Sequence, residues 1–217
     1  MYVLPSIRFG VGMESIVKKI GIMGGTFNPI HIGHLLLAER AMEDKELDEV
    51  WVIPIGCSYM KRNVDVVSGE ERYAMTKLAV ADQDRIRCLD IEIKRCGYTY
   101  SYETLEQLQR EYPEDEFYFI FGADCLFTIE KWKYPERIFR MCKVIAAVRN
   151  GSSIVEMEQK RKELEERFHA QISLLPFPNL EISSTNLRER IRQGKSVRYL
   201  IPDAVIDYIE EKHFYSE

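Results

Sequence analysis

The chain has 217 residues, of which 46% are hydrophobic and 30% are charged; this is typical of one folded globular domain and not of a disordered or collagen-like chain. Its formal net charge of −5 disfavours a nucleic-acid partner, and no apolar run approaches the roughly 20 residues that cross a membrane. The five cysteines contain no C-x-x-C pair, and neither they nor the four histidines form a metal-ligand pattern, so we expect thiols in a reducing cytoplasm and no structural metal.

Short β-rich runs alternate with longer helical patterns along the chain. The predicted strands are Lys19–Gly24, Glu49–Ile55, Ile86–Ile93, Phe117–Gly122, Lys143–Val148 and a weaker Ile172–Phe177. The predicted helices begin near Ile32, Gly69, Tyr102, Ile154, Thr185 and Asp203. Four of the strands are almost continuously apolar, as expected where both faces are covered. The pattern predicts an α/β, Rossmann-like doubly wound fold: a mainly parallel sheet with helices on both faces and the first strand central.

Domain organisation follows from the absence of any repeat, low-complexity tract or flexible linker. Residues 19–217 are predicted to form a single domain. Residues 1–18 are predicted to be a loose extension, because their start lacks the basic residues and long apolar stretch of a secretory signal. Ser68 and Ser153 are each followed three residues later by glutamate, a capping-box pattern that marks a helix start.

The segment after the first strand carries the strongest chemical signal. It reads Gly24-Gly25-Thr26-Phe27-Asn28-Pro29-Ile30-His31-Ile32-Gly33-His34. The paired glycines let the backbone turn sharply and let a phosphate approach main-chain N–H groups. His31 and His34 are three residues apart at a helix N-terminus, so their rings share one side where anions are favoured. Either fragment alone is common, since paired glycines often follow a strand and a single histidine more often caps or packs.

A second anion site is predicted near the other end of the chain. It reads Ile182-Ser183-Ser184-Thr185-Asn186-Leu187-Arg188. Three hydroxyl groups run into a helix start, and Arg188 supplies a planar guanidinium suited to phosphate oxygens. Taken alone, this segment is equally compatible with an ordinary helix cap beside a surface arginine.

Together, the two segments resemble the H-x-G-H and I-S-S-T-x-x-R motifs of the nucleotidyltransferase superfamily. That resemblance implies that His31, His34 and Arg188 are catalytic, with the histidines on the ATP phosphates and the second motif on the β- and γ-phosphates. Asn28 stands where the family usually carries aspartate. The implied ATP-binding residues are Gly24, Gly25, Thr26, Phe27, His31, His34, Asp124, Arg149, Ser183, Ser184, Thr185 and Arg188.

From about Lys19 to Phe214 the chain is similar to the bacterial nicotinate-nucleotide adenylyltransferases. Residues 99–105 are similar to their S-Y-T-x-D-T-L segment, and residues 122–124 match their G-A-D segment. Trp132 matches the tryptophan that stacks on the pyridine ring, although a buried core tryptophan is the alternative. The implied substrate-binding residues are Lys61, Ser101, Trp132 and Lys133.

The resemblance implies transfer of an adenylate from ATP to nicotinate mononucleotide, with Mg²⁺ carried by ATP and no tightly bound cofactor. ATP and nicotinate mononucleotide are the expected partners, and a homo-oligomer is compatible with the sequence. Two alternatives stay open: a related adenylyl- or cytidylyltransferase with another acceptor, and a non-catalytic nucleotide sensor of the same fold. An aminoacyl-tRNA synthetase, which also carries His-Ile-Gly-His, needs a longer chain.

Overall fold

A computed structural model describes residues 17–58, 66–148 and 154–216 of the chain. Six parallel strands form the main sheet in the order β4-β2-β1-β6-β7-β8. Their bounds are β1 (Lys19–Gly25), β2 (Glu49–Pro54), β4 (Ile86–Cys88), β6 (Glu116–Gly122), β7 (Lys143–Val148) and β8 (Ile172–Pro176). Two short strands, β3 (Cys57–Ser58) and β5 (Tyr98–Thr99), pair in a separate parallel ladder.

Helices cover both faces of the main sheet. Their bounds are α1 (Ile32–Lys45), α2 (Gly69–Ala79), α3 (Ser101–Glu111), α4 (Ala123–Thr128), α5 (Pro135–Met141), α6 (Ile154–Phe168), α7 (Ser184–Arg192) and α8 (Asp203–Glu211). Successive strand residues point to opposite faces. Ile22 and Trp51 therefore belong to an apolar cluster under α3 to α6, whereas Met23 and Val50 belong to one under α1, α2, α7 and α8. Among the described helices, none has both the length and the apolar character of a membrane span.

The predicted fold class is confirmed, with two corrections to its elements. The strand predicted over Ile86–Ile93 ends at Cys88, because Lys94 N–H bonds back to Asp90 O at 3.0 Å and turns the chain. Apolar and charged residues alternate after Cys88 as they would in a strand, but these residues form a turn. Sequence reasoning also missed α4, α5 and the β3–β5 ladder, which are too short to develop a clear hydrophobic period.

Helix starts agree closely with the sequence. The Ser68 hydroxyl caps α2 by accepting a hydrogen bond from Glu71 N–H at 3.2 Å. The second predicted capping serine, Ser153, lies outside the described residues, as do residues 1–16 of the predicted extension.

The topology places the ends of several strands at one crevice. From β1 the chain proceeds to β2 on one side, whereas β6 lies on the other side of β1, so the strand order reverses between β1 and β6. Ligands of open α/β sheets bind at the carboxyl ends of the strands beside such a switch point. The phosphate motif that follows β1 begins at this edge.

Candidate active site

The loop between β1 and α1 is shaped by Gly25 and Phe27. Phe27 has a φ of 47° and its ring is almost fully buried. A Cβ atom built on Gly25 would lie 2.6 Å from that ring, so a larger residue would push the aromatic side chain out of its site. The glycine is needed because the loop folds back on itself, and this fold places the next residues at the helix N-terminus.

His31 and His34 lie against each other at the start of α1. Their rings are stacked, with centroids 3.7 Å apart, and His31 N–H donates to His34 Nδ1 at 3.3 Å. Gly33 makes room for this pair, since a Cβ there would lie 3.1 Å from His31 Nδ1. His31 is 5% exposed, whereas His34 is half-buried. Both predicted histidines therefore lie at one helix N-terminus, with His34 the more accessible to a ligand.

Arg72 holds the loop from below. Its guanidinium donates to the carbonyl oxygens of Thr26 at 2.9 Å, Ile55 at 2.6 Å and Gly56 at 3.0 Å. The side chain is only 3% exposed, and burial lowers its pKa from the usual range, but guanidinium groups stay charged in proteins. A permanent positive charge therefore lies beneath the phosphate loop. Arg72 was not identified from the sequence, although a charged residue on the buried face of a helix could have indicated it.

The second motif meets the first although the two are far apart in sequence. Ser184 Oγ donates to Pro29 O at 2.9 Å, and Arg188 Nη1 donates to Asn28 O at 2.9 Å. The Ser183 hydroxyl accepts from Asn186 N–H at 3.2 Å and so caps α7. Contacts of Ser183, Ser184 and Thr185 with a ligand remain predictions, because the first two hydroxyls already make hydrogen bonds within the protein.

The Arg188 guanidinium retains donor capacity at this junction. Its Nη2 approaches Thr185 Oγ1 at 3.5 Å, and its buried Nε has no hydrogen-bond partner among the described residues. A buried N–H group without an acceptor costs free energy of folding unless a ligand accepts its hydrogen bond. The position of Arg188 therefore fits an anion bound at the loop that leads to the His31–His34 pair.

Asp124 lies in the first turn of α4, directly after β6, and is exposed. It thus belongs to the same edge of the sheet as the phosphate loop, and its contact with a nucleotide remains a prediction. Two other predicted residues, Lys61 and Arg149, lie outside the described residues. Among the residues that the structure describes, no group of three or more His, Cys, Asp or Glu side chains is arranged to hold a metal ion.

A cavity of about 100 Å³ adjoins the phosphate loop. Its lining residues are Ile22, Gly24, Ile53, Ile55, Glu92, Thr99, Ser101, Thr104, Leu105, Phe119 and Trp132. Trp132 follows a 3₁₀ turn in extended conformation, and its ring contacts Phe119 edge-on with centroids 6.0 Å apart. The buried Trp132 Nε1 and Thr99 Oγ1 atoms have no hydrogen-bond partner among the described residues. The cavity thus has an apolar wall, the indole N–H of Trp132 as an open donor, and a Thr99 hydroxyl without a regular hydrogen bond.

Glu92 is a residue of this cavity that sequence reasoning missed. Its carboxyl accepts a hydrogen bond from Thr104 Oγ1 at 2.8 Å, and Arg95 Nη1 donates to the same hydroxyl at 3.1 Å. Burial raises the pKa of Glu92, and the Thr104 hydrogen bond and the Arg95 charge only partly oppose that rise. The nearby Thr99 hydroxyl also opposes it, without the geometry of a regular hydrogen bond.

Ser101 lines the cavity, and Lys133 directly follows the lining residue Trp132 in sequence. Ser101 is the first residue of α3, where main-chain N–H groups are open. The Lys133 ammonium lies 4.1 Å from the ring centroid of Tyr100, a cation–π contact that joins the segments before α3 and after Trp132. Of the four predicted substrate-binding residues, the structure therefore brings Ser101, Trp132 and Lys133 together.

The class of protein is indicated by three features, namely the parallel sheet, the crevice at the switch point and the paired phosphate motifs. The model of the cytidylyltransferase-like family matches residues 22–190, which include both motifs, and the chain belongs to that family. A relative from Lachnoclostridium phytofermentans, named a probable nicotinate-nucleotide adenylyltransferase, is 43% identical over 92% of this chain and 100% of its own length. One of the same name from Shouchella clausii is 35% identical over 93% of this chain and 98% of its own. The chain is thus a member of the nicotinate-nucleotide adenylyltransferases, as its sequence predicted.

Solved structures agree on the fold. Plasmodium falciparum nicotinic acid mononucleotide adenylyltransferase complexed with NaAD superposes with a TM-score of 0.75 and 23% identity, over 91% of this chain and 97% of that chain. The same enzyme complexed with APC gives a TM-score of 0.73 and 22% identity over the same shares of the two chains. The architecture is therefore shared although most residues differ.

Proposed function

We propose that the chain transfers the adenylyl group of ATP to nicotinate mononucleotide, forming nicotinate adenine dinucleotide and pyrophosphate in NAD biosynthesis. The observation that carries this proposal is the meeting of two phosphate motifs beside a small cavity with an open donor. The names of the relatives, and the NaAD and APC complexes of the Plasmodium enzyme, support the same substrates.

The reaction needs no protein nucleophile, because the attacking group is already an anion. An oxygen of the acceptor 5′-phosphate forms a bond to the α-phosphorus of ATP. The bond from that phosphorus to the bridging oxygen breaks, and pyrophosphate leaves with the electron pair. Positioning and charge neutralisation should therefore dominate catalysis.

His34, His31 and Arg188 are assigned to this neutralisation. The histidines lie at the N-terminus of α1, where the helix dipole favours negative charge, and Arg188 approaches from α7. We assign the α- and β-phosphate region to the histidines and the leaving pyrophosphate to Arg188 and the start of α7. The charge of Arg72 beneath the loop adds to the same field.

Magnesium is expected to enter with the triphosphate. The described residues near the phosphate loop offer the exposed Asp124 and the neutral Asn28, a donor set that fits a cation held mainly by substrate and water. When bound, Mg²⁺ supplies further neutralisation of the phosphate charge. We also assign the chain to the cytoplasm, where NAD precursors are made and where its five cysteines, none of them in a disulfide, would stay reduced.

A direct assay tests the proposal. The chain is incubated with Mg²⁺, ATP and nicotinate mononucleotide, and both pyrophosphate and the dinucleotide are measured. Phosphopantetheine with ATP and glycerol phosphate with CTP serve as rival substrate pairs. Equal amounts of dinucleotide and pyrophosphate support the proposal. Faster turnover of a rival pair would identify another transferase, and ATP binding without any turnover would identify a nucleotide sensor.

A further inference from the structure

The segment after α8 ends against the phosphate loop. Tyr215 has a φ of 63°, a left-handed conformation that is unfavourable for a bulky residue and that needs a compensating contact. Its hydroxyl donates to Asn28 Oδ1 at 2.7 Å, across 187 residues of sequence. The chain thus returns at its end to the loop that follows its first strand.

Asn28 joins several elements at this point. Its backbone carbonyl accepts from Arg188 Nη1 at 2.9 Å, and its side-chain Oδ1 also accepts from Val67 N–H at 3.4 Å. The residue is only 3% exposed. Asn28 therefore connects Tyr215 and Val67, through its side chain, to the phosphate-site arginine, through its backbone carbonyl.

The surroundings of Tyr215 are electropositive. Burial raises the pKa of its phenol, whereas the charges of Arg188 and Arg72 oppose the rise without overcoming it. The phenol therefore keeps its proton and acts as a donor toward Asn28. A neutral hydroxyl near two guanidinium groups orients a neighbour without cancelling their positive charge.

We propose that Tyr215 is a positioning residue for the ATP site, which acts through Asn28 to hold the phosphate loop and Arg188 in register. Tyr215 contacts the loop that precedes the His31–His34 pair, and it does not line the cavity beside Trp132. Its loss should therefore affect ATP and spare the acceptor. This inference rests on the proposed function for the identity of the two substrates.

Tyr215→Phe removes only the hydroxyl, and Tyr208→Phe is its matched control. Tyr208 also lies in the C-terminal part of the chain, and its hydroxyl donates to the Glu71 carboxylate on α2 and not to Asn28. Tyr215→Phe should raise the KM for ATP about five- to tenfold, as expected for one lost hydrogen bond, with the KM for nicotinate mononucleotide changed less than twofold. Tyr208→Phe should change neither KM by more than twofold. Equal effects of the two variants, or an unchanged KM for ATP in Tyr215→Phe, would overturn the assignment.

A double-mutant cycle separates positioning through Asn28 from general loosening. Asn28→Ala removes the acceptor, so adding Tyr215→Phe should have little further effect in that background. A full additional loss would overturn the proposal. If Asn28→Ala does not fold, Asn28→Asp keeps an acceptor oxygen and should stay as sensitive to Tyr215→Phe as the parent.

Calorimetric titration of ATP with Mg²⁺ keeps this test independent of turnover. If the parent binds ATP but does not react with nicotinate mononucleotide, the proposed function fails, while the ratio of dissociation constants between parent and Tyr215→Phe still decides the role of Tyr215. A ratio below twofold would overturn it.

Discussion

At the scale of single residues, the two stacked histidines differ in exposure. His31 is almost fully buried against Gly33, whereas His34 is half-buried. We therefore expect a division of tasks in this first turn, with His34 the more accessible to a phosphate and His31 also holding the geometry of the pair. Substitution of His34 tests this division directly.

His34→Ala should lower kcat/KM about a hundredfold or more, in line with a lost donor to charge that develops in the transition state. His169→Ala is a matched control, because His169 is exposed and lies between α6 and β8. Circular dichroism should show both variants folded. Near-parental turnover by a folded His34→Ala would remove this residue from the catalytic assignment.

Arg188→Lys should reduce both ATP affinity and turnover about tenfold, because lysine keeps the charge but loses the planar fork that reaches Asn28 O and Thr185 Oγ1 together. Arg190→Lys is the control on the same helix, since Arg190 donates twice to Ser196 O away from the phosphate loop. Steady-state kinetics of both variants decide the matter. If the two lysine variants behave alike, Arg188 is an ordinary helix-surface arginine.

At the scale of elements, Glu92 lies where the β3–β5 ladder meets the start of α3. Gly56 leads into β3, and a Cβ on it would lie 2.2 Å from Glu92 O, so the two segments are in close backbone contact. Thr104 on α3 donates to the Glu92 carboxyl. One buried acid thus links the segments that form one wall of the cavity. Its protonation should therefore change the free energy of unfolding.

Glu92→Gln should change the pH dependence of unfolding. An unfolded glutamate titrates near 4.5, and burial raises the pKa of Glu92 in the folded state. Between these two values the folded chain binds the extra proton, so the free energy of unfolding falls as the pH rises. Glutamine does not titrate, so the Tm of the variant relative to the parent should increase as the pH rises above about 4.5.

Thermal unfolding of Glu92→Gln, the parent and the control Glu114→Gln across this range provides the check. Glu114 is exposed, so its substitution should shift the curve little at any pH. A Tm difference between Glu92→Gln and the parent that stays constant with pH would show that Glu92 titrates as an ordinary carboxylate.

At the scale of the whole molecule, the cavity is assembled from distant parts of the chain: Ile22 from β1, Thr99 from β5 and Trp132 after α4. The open donor there is the indole N–H of Trp132, and the Thr99 hydroxyl lies beside the Glu92 carboxyl. Main-chain N–H groups near Ser101 and Lys133 are expected to add to this donor. A donor-rich site suits a carboxylate, which accepts at both oxygens, better than a carboxamide, whose NH₂ faces another donor.

Nicotinate mononucleotide should therefore be preferred over nicotinamide mononucleotide, with each unpaired donor costing about 1–3 kcal/mol. Parallel measurements of kcat/KM for the two acceptors give the ratio, which should reach several powers of ten if two donors are left unpaired. Trp132→Phe, which removes the indole N–H but keeps an aromatic ring, should narrow the ratio, and Thr128→Val, which removes a hydroxyl bonded to α4 carbonyls, should not. Equal kcat/KM values would overturn the acid preference and leave the adenylyl transfer in place.

The sequence alone determined the sheet pattern and both phosphate motifs, because hydrophobic period, glycine placement and hydroxyl-rich helix starts are local features. Ser68 and Ser183 cap their helices as such local rules require. The predicted end of the strand at Ile93 was wrong, because the strand ends at Cys88. The alternation along residues 89–93 does not reveal that these residues form a turn, in which Glu92 lines the cavity.

Only the tertiary structure decided which residues meet. Arg72, Glu92 and Tyr215 carry no motif, and each becomes part of the site through contacts with residues remote in sequence, namely Thr26, Thr104 and Asn28. The physical reason is that burial and the pairing of a carbonyl or carboxyl with a distant donor are properties of packing. A sequence pattern identifies which groups can bind phosphate, and the fold determines which other groups hold them in place.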